Sequence, residues 1–367
     1  MKRAIIPVAI AAALSFSQQA NALEWDGFLT AGFSVHDQED ATYLDTITDD
    51  VRFDNDSKFG LQVTADVAEN MQVVAQILAA GSDENFDLDV EWAYLDWVFN
   101  DTFSLRGGKV KEPVFLISDY IEVGYAYPWI RPPQEVYRNN PINTINGLEA
   151  LVQMDVAGMG LTIQPYIGSN TEGVPGTNGA VQFEATNFYG AAIQLASRTF
   201  TFQVSLLQTD VETINVSGNP AFNPFAAVGD AQLISAGLST DINNFVGYAE
   251  FVTRDISDQA MEAIFPDQDA WYVTVGYRMG NFMPHLTVAN SEAEPLASLG
   301  ANPGVSQDSV TLGLRYEIND SAAFKFEVQS IEPDLAAGSV GLLSNTPTDF
   351  VPGDSVTLIS AAVDVIF

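Results

Sequence analysis

The 367-residue sequence has no cysteine, which excludes disulfides, thiolate zinc sites and cysteine-held iron–sulfur clusters. Basic residues are scarce, with 14 Lys+Arg against 48 Asp+Glu and a formal charge of -34. A nucleic-acid footprint needs clustered Lys and Arg, so nucleic acid is excluded as a partner. Only two histidines are present, His36 and His285, leaving little material for a histidine-based metal or catalytic site. No apolar run beyond the first residues is long enough for a transmembrane helix. Hydrophobic residues nevertheless make up 47% and aromatics 11%, which excludes an acidic disordered chain.

The N-terminus has the pattern of an export signal. Lys2 and Arg3 precede an apolar stretch, Ile5 to Phe16, and Ala20-Asn21-Ala22 gives a small-residue cleavage site. Cleavage after Ala22 leaves residues 23–367 and takes the charge from -34 to -36, because Lys2 and Arg3 leave with the signal.

The rest of the chain alternates. Trp271, Val273, Val275 and Tyr277 interleave with Tyr272, Thr274 and Gly276, and Val310, Leu312, Leu314 and Tyr316 with Thr311, Gly313 and Arg315. Period two puts an apolar and a polar face on one extended strand. Similar runs begin at Trp25, Lys58, Met71, Leu88, Thr102, Asn146, Leu161, Gln182, Thr199, Gln232, Phe245, Phe282, Ala322 and Ser355. The total is about sixteen strands, each of the length a tilted membrane strand requires. Connectors alternate between short turns, such as Gly280-Asn281 and Asn319-Asp320-Ser321, and long loops such as 36–57, 111–143 and 332–354. A soluble β-sandwich would also alternate, but here charge is nearly absent from the apolar face, while the other face is rich in Gly, Ser, Thr and Gln. Lipid admits only helices and closed barrels, because every backbone polar group needs a partner. The expected fold is all-β, a single-domain transmembrane antiparallel β-barrel of about sixteen strands with short periplasmic turns and long extracellular loops.

The last strand carries Ile359, Ala361, Val363, Val365 and the terminal Phe367 on one face. With Trp25-Asp26-Gly27-Phe28, Ala93-Tyr94-Leu95 and Leu105-Arg106-Gly107-Gly108-Lys109, this ending resembles a Gram-negative porin of the outer membrane. The resemblance implies a homotrimer, passive channel activity rather than enzymatic activity, and Phe367 as the signal read by the barrel-assembly machinery. It also implies that the third long loop, 111–143, folds inward as the constriction. That loop offers Asp119, Glu122, Arg131, Glu135 and Arg138, with the aromatics Tyr120, Tyr125, Tyr127, Trp129 and Tyr137. Pro113, Pro128, Pro132, Pro133 and Pro141 stiffen it by fixing φ. The Pro-Glu-Phe-Gly-Gly motif of enteric general porins is absent, so solute preference does not carry over. The family's second loop latches onto a neighbour, but Ser82 to Asp87 is short for that. An external loop over the barrel, or one contacting a neighbouring subunit, is the alternative for 111–143.

Strand parity points Lys58, Arg106, Arg254, Arg278, Arg315 and Lys325 into the lumen. They either avoid lipid while pairing with inward acids, or form a basic ladder opposite acidic loop residues, setting up a transverse field. The first loop concentrates acids, among them Asp49, Asp50, Asp54 and Asp56. Asp54-Asn55-Asp56 lacks the later Gly and Glu of an EF-hand, leaving diffuse Ca²⁺ or Mg²⁺ binding, or bridging to lipopolysaccharide phosphates, beside a plain solvated surface. No other cofactor is expected. The leading reading is an outer-membrane channel for small hydrophilic solutes, preferring cations. The alternatives are a substrate-specific channel for a sugar or small organic acid, built on the loop aromatics, and a structural or adhesive barrel without through-flow. No Ser/His/acid grouping supports an enzyme.

Overall fold

The computed structural model describes residues 23–82, 85–173, 180–221, 226–294, 305–334, 341–347, 349–351 and 353–367. The expected export signal (residues 1–22) and the centre of the second loop, Asp83 and Glu84, lie outside the described residues.

Eighteen strands follow in chain order: β1 Leu23–His36, β2 Thr42–Tyr43, β3 Lys58–Ala68, β4 Met71–Ser82, β5 Asn85–Asn100, β6 Phe103–Lys111, β7 Thr144–Val156, β8 Met159–Gly173, β9 Val181–Ala196, β10 Phe200–Asn215, β11 Ala227–Ile242, β12 Phe245–Ile256, β13 Gln268–Tyr277, β14 Phe282–Ala293, β15 Gln307–Asn319, β16 Ala322–Pro333, β17 Leu343–Ser344 and β18 Val356–Ile366. Sixteen of them form a closed antiparallel barrel, and the two-residue strands β2 and β17 pair separately. The seam joins β1 to β18, from Phe28 opposite Ile366 to His36 opposite Leu358. Phe367 extends it, donating its N–H to Gly27 O at 2.9 Å and accepting from Gly27 N at 2.8 Å.

Strand starts that follow short turns match the sequence reading to within two residues, as at Met71, Phe245, Phe282 and Ala322. After long loops, β3 begins at Lys58 as read and β18 at Val356, one residue later than read, but β11 begins earlier, at Ala227 rather than Gln232. There the strand extends above the lipid band, where nothing enforces alternation. On that outer rim carboxylates face each other across strands, Asp210 opposite Asp230, Asp269 opposite Glu292 and Asp308 opposite Glu332. Below it the outer face is apolar, with Phe202, Leu206, Ile234, Phe251, Trp271, Val273, Leu286 and Leu312 all exposed. This is the lipid-facing surface a barrel must present.

The glycines of this wall make room for large inward side chains. The His285 ring lies over its cross-strand partner Gly313, where a Cβ would collide with it.

Two small additions cap the mouth. The β2–β17 pair joins the first and last long loops around Ala41, Tyr43, Ile47, Leu343, Val356 and Leu358. The β5 segment before Ala93 pairs with β4 but not with β6, because β6 ends at Lys111 and the chain turns inward.

Candidate functional site

The chain between β6 and β7 runs inside the barrel and hydrogen-bonds to its wall almost all the way round. Its neck is closed by Glu112 N donating to Asn143 O at 3.1 Å. From there it crosses to β10 and β11, where Ser205 Oγ and Ser235 Oγ donate to Val114 O at 2.8 and 2.6 Å. Leu116 N donates to Glu250 Oε2 of β12 at 2.8 Å. The tip then reaches the opposite wall, where Lys58 of β3 pairs with Glu122 at 3.2 Å. On the return, Lys325 Nζ of β16 donates to Gly124 O and Trp129 O, both at 2.6 Å, and pairs with Asp364 of β18 at 2.8 Å. Arg315 of β15 donates to Tyr125 O at 2.6 Å and Tyr127 O at 2.8 Å.

Hydrophobic packing reinforces these bonds. Val114, Phe115, Ile117, Tyr127, Trp129, Val136 and Tyr137 are buried against inward residues of β8 to β14, including Tyr166, Phe183, Leu207, Val252 and Tyr272. Trp129 sits at the centre, with its ring edge-on to Tyr272 at 5.5 Å and near Tyr248 at 4.8 Å. Its Nε1 donates to Thr274 and Thr287, each at 3.0 Å. An indole is favourable there because its bulk fills the core while its one donor is satisfied. The loop is therefore packed against the β9 to β14 wall, leaving a space of about 40 Å³ beneath it between Phe183, Leu207, Leu233 and Arg254.

The anticipated site residues divide into three groups. Glu122, Tyr120 and Tyr125 are half-buried at the loop tip, and Asp119 is exposed there. Asp119 has no hydrogen-bond or ion-pair partner among the described residues. Facing this tip, Arg106 is held between Asp96 at 3.3 Å and Glu149 at 3.1 Å, with its guanidinium over the Tyr94 ring. The second group is structural. Tyr127, Trp129, Tyr137 and Glu135 are buried, and Lys325 and Arg315 are buried against loop carbonyls. Arg131 leaves the loop for the barrel seam, donating to Ser34 Oγ at 2.7 Å, Ser360 Oγ at 2.5 Å and Asp56. The third group lies at the mouths. Arg138 pairs with Asp45 of the first loop at 2.8 Å, and Arg278 makes two bonds to Asp241, at 2.6 and 2.7 Å, at the end with short turns. Arg254 is buried but donates to the backbone oxygens of Asn139 and Pro266.

The basic ladder thus differs from its expected form. Of the six inward cations, Lys325, Arg315 and Arg254 hold carbonyl oxygens, and Lys58 holds Glu122. Arg278 is paired with Asp241 at the mouth, and Arg106 faces the loop tip while held by Asp96 and Glu149. A cation that anchors a loop in a packed lumen is not available to a passing solute.

Three loop carboxyls have shifted acidity, and in Asp119 desolvation within the lumen raises the pKa against the pull of Arg106 and Lys111. Glu112, 2% exposed, accepts from Asn140 Nδ2 at 2.6 Å and Tyr166 OH at 3.4 Å, and burial without a cation pushes it up to about 8. Burial pushes Glu122 up as well, but Lys58 and Lys111 overcome this and hold it below the ordinary carboxylate value.

The model of the Gram-negative porin family matches residues 8–334. This chain belongs to the Gram-negative porin family. The porin's fold is similar to that of an anion-selective porin from Comamonas acidovorans, with 10% identity, a TM-score of 0.62 and 94% and 99% of the two chains covered. Salmonella typhi OmpF, solved with daunomycin, gives 12% identity, a TM-score of 0.60 and coverage of 95% and 98%. The outer-membrane channel DcaP of Acinetobacter baumannii gives 12%, 0.59, and 96% and 99%. No curated protein sequence matches the chain. Family and barrel make the porin an outer-membrane channel for passive diffusion.

Several residues that position the porin's loop escaped sequence reasoning: Ser34, Asp56 as the Arg131 partner, Glu112, Gln203, Asp364 and Ser360. The acids of the first loop are dispersed. Asp49 and Asp50 are exposed, Asp54 pairs with Arg52, and Asp56 with Arg131. Among the described residues no group of three or more His, Cys, Asp or Glu is placed to hold a metal ion.

Proposed function

We propose that solutes cross the porin through a crescent between the loop tip and the β3 to β8 wall, and that this crescent favours cations over anions. The carrying observation is Asp119, an exposed carboxylate without a partner, opposite an Arg106 already neutralised by two carboxylates. In a narrow passage, a carboxylate with no direct ion pair, met by Arg106 and Lys111 only at longer range, biases which ions enter. Loop 111–143 acts as the constriction. The protein works as a homotrimer in the outer membrane, after export and cleavage near Ala22, and Phe367 serves barrel assembly.

A substrate-specific channel built on stacked loop aromatics finds less support. Tyr127, Trp129 and Tyr137 are 1%, 1% and 5% exposed, so their faces meet other side chains rather than solute.

Planar-bilayer reversal potentials in a salt gradient test the reading. The expected result is cation preference in the wild type and a marked loss of it in Asp119→Asn at similar conductance. Anion preference in the wild type, or unchanged selectivity in the variant, would overturn it.

A further inference from the structure

We propose that a cavity beneath the loop, against the wall of β12 to β15, is a binding site for a small zwitterion of the α-amino acid type with an apolar side chain. The cavity has a volume of about 290 Å³ and is lined by Tyr125, Tyr127, Tyr248, Arg278, Arg315 and Glu317. Small-molecule sites begin at about 300 Å³, so it has room for a compact ligand. The turn residues Gly280 and Asn281 border it, so it opens at the mouth with short turns. It lies off the crescent, which runs along β3 to β8.

Its polar wall is only partly used. Arg315 is 6% exposed; its Nε pairs with Glu317 Oε1 at 2.7 Å, and its Nη1 holds the carbonyls of Tyr125 and Tyr127. Its Nη2 has no hydrogen-bond partner among the described residues. The Tyr248 hydroxyl has none either, and Arg278, Arg315 and Asp241 all act on it electrostatically. Glu317 accepts from Arg315 and, at 3.3 Å, from the Tyr125 hydroxyl. A carboxylate offers about four acceptor positions, so two stay open. Arg315 is thus closed to the crescent yet keeps one donor for this cavity.

Charge decides the class of ligand. Arg278 and Arg315 are balanced by Asp241 and Glu317. Asp320 acts on Tyr125 from the exposed turn outside, where water and salt screen it. A ligand with a carboxylate alone would add negative charge with no counter-charge, and one with an ammonium alone would bring it against two guanidinium groups. A zwitterion leaves the balance intact. An α-amino acid also carries its two charges side by side, as the wall carries Arg315 and Glu317. The carboxylate would take Arg315 Nη2 and the Tyr248 hydroxyl, and the ammonium the open positions of Glu317. The rest of the lining includes Pro128, Val246 and Met283, an apolar surface for an apolar side chain.

The test uses the full-length porin purified in detergent, titrated calorimetrically with phenylalanine, phenylpropionate and phenethylamine. These share a ring and carry both charged groups, the carboxylate alone or the ammonium alone. The expected result is saturable binding of phenylalanine at one site per chain, with each analogue weaker by about tenfold or more, the worth of a hydrogen bond to a charged group. Glu317→Gln should weaken phenylalanine by a similar factor, and Tyr248→Phe, which removes only a hydroxyl, by several-fold. Asp119→Asn should bind it as the wild type does. No saturable binding of phenylalanine, analogues as tight as phenylalanine, or wild-type affinity in both cavity variants would overturn the site. So would loss of binding in Asp119→Asn, which would move the ligand into the crescent. Should Glu317→Gln fail to fold, as judged by heat-modifiable migration, Tyr248→Phe decides: weakened binding supports the site and unchanged affinity sinks it. The readout is binding rather than ion selectivity, so its failure and that of the Asp119 reading are told apart.

Discussion

Glu112 is a carboxyl held where a neutral group would fit better. It closes the neck of the loop with an amide and a phenol as partners and no cation, and its pKa of about 8 lies above the ordinary 4.5. The sign follows by linkage. Between about 4.5 and 8 the unfolded chain releases this proton while the folded chain keeps it, so the residue's contribution to stability falls as pH rises and levels off above about 8. Glu112→Gln should flatten that part of the profile and raise the thermal midpoint above pH 8 relative to wild type. Unfolding followed by circular dichroism across this window checks it, and parallel curves for the two proteins would refute it. The sequence placed Glu112 in a long loop but contained no sign that Tyr166 and Asn140 would enclose it.

At the scale of the element, the loop is fixed by charge as much as by packing. Lys325 is fully buried, with Asp364 and two loop carbonyls around its ammonium. Lys325→Met removes all three bonds and leaves Asp364 as an uncompensated buried charge, a loss of about 3–5 kcal/mol in comparable cases. Part of that loss should be local, because the released tip is free to move. Larger and noisier single-channel conductance is expected, together with faster protease cleavage within 119–128. Wild-type conductance and cleavage would show that the anchor is redundant.

How legible this element was depends on which signal is asked for. Parity pointed Lys58, Arg106, Arg315 and Lys325 inward correctly, since period two survives in almost every strand. Parity is silent on what an inward group meets, because that depends on registers across the whole barrel. One available signal went unread. Leu206-Leu207, Leu233-Ile234, Phe251-Val252 and Trp271-Tyr272 are apolar on both faces, with the inward members buried under the loop. An apolar residue on a lumen face implies something dry against it, and here that is Trp129 and its neighbours.

For the whole molecule, the negative charge divides into two populations that salt should separate. Carboxylates on the loops and outer rim are solvated and act over distances comparable to the Debye length, about 10 Å at 0.1 M and 3 Å at 1 M. Asp119, in the proposed crescent, would act within the passage itself. Cation preference should therefore fall as ionic strength rises and settle at a residual value that Asp119→Asn removes. Reversal potentials at constant gradient ratio and increasing absolute concentration measure both parts. A preference independent of salt would place all selectivity inside the barrel. The global fold itself was readable from alternation, turn chemistry and the terminal Phe367, because lipid enforces these without reference to distant contacts.

Arg131 gives the barrel an order of events. Its guanidinium touches Ser34 on the first strand and Ser360 on the last, so its seat exists only once the final residues of the chain have arrived. The seam that completes the cylinder is also the seam that receives the loop. A half-assembled porin thus lacks both its closed wall and the seat of Arg131, and gains them together. Closing the cylinder and making the last fastening of the loop are one event.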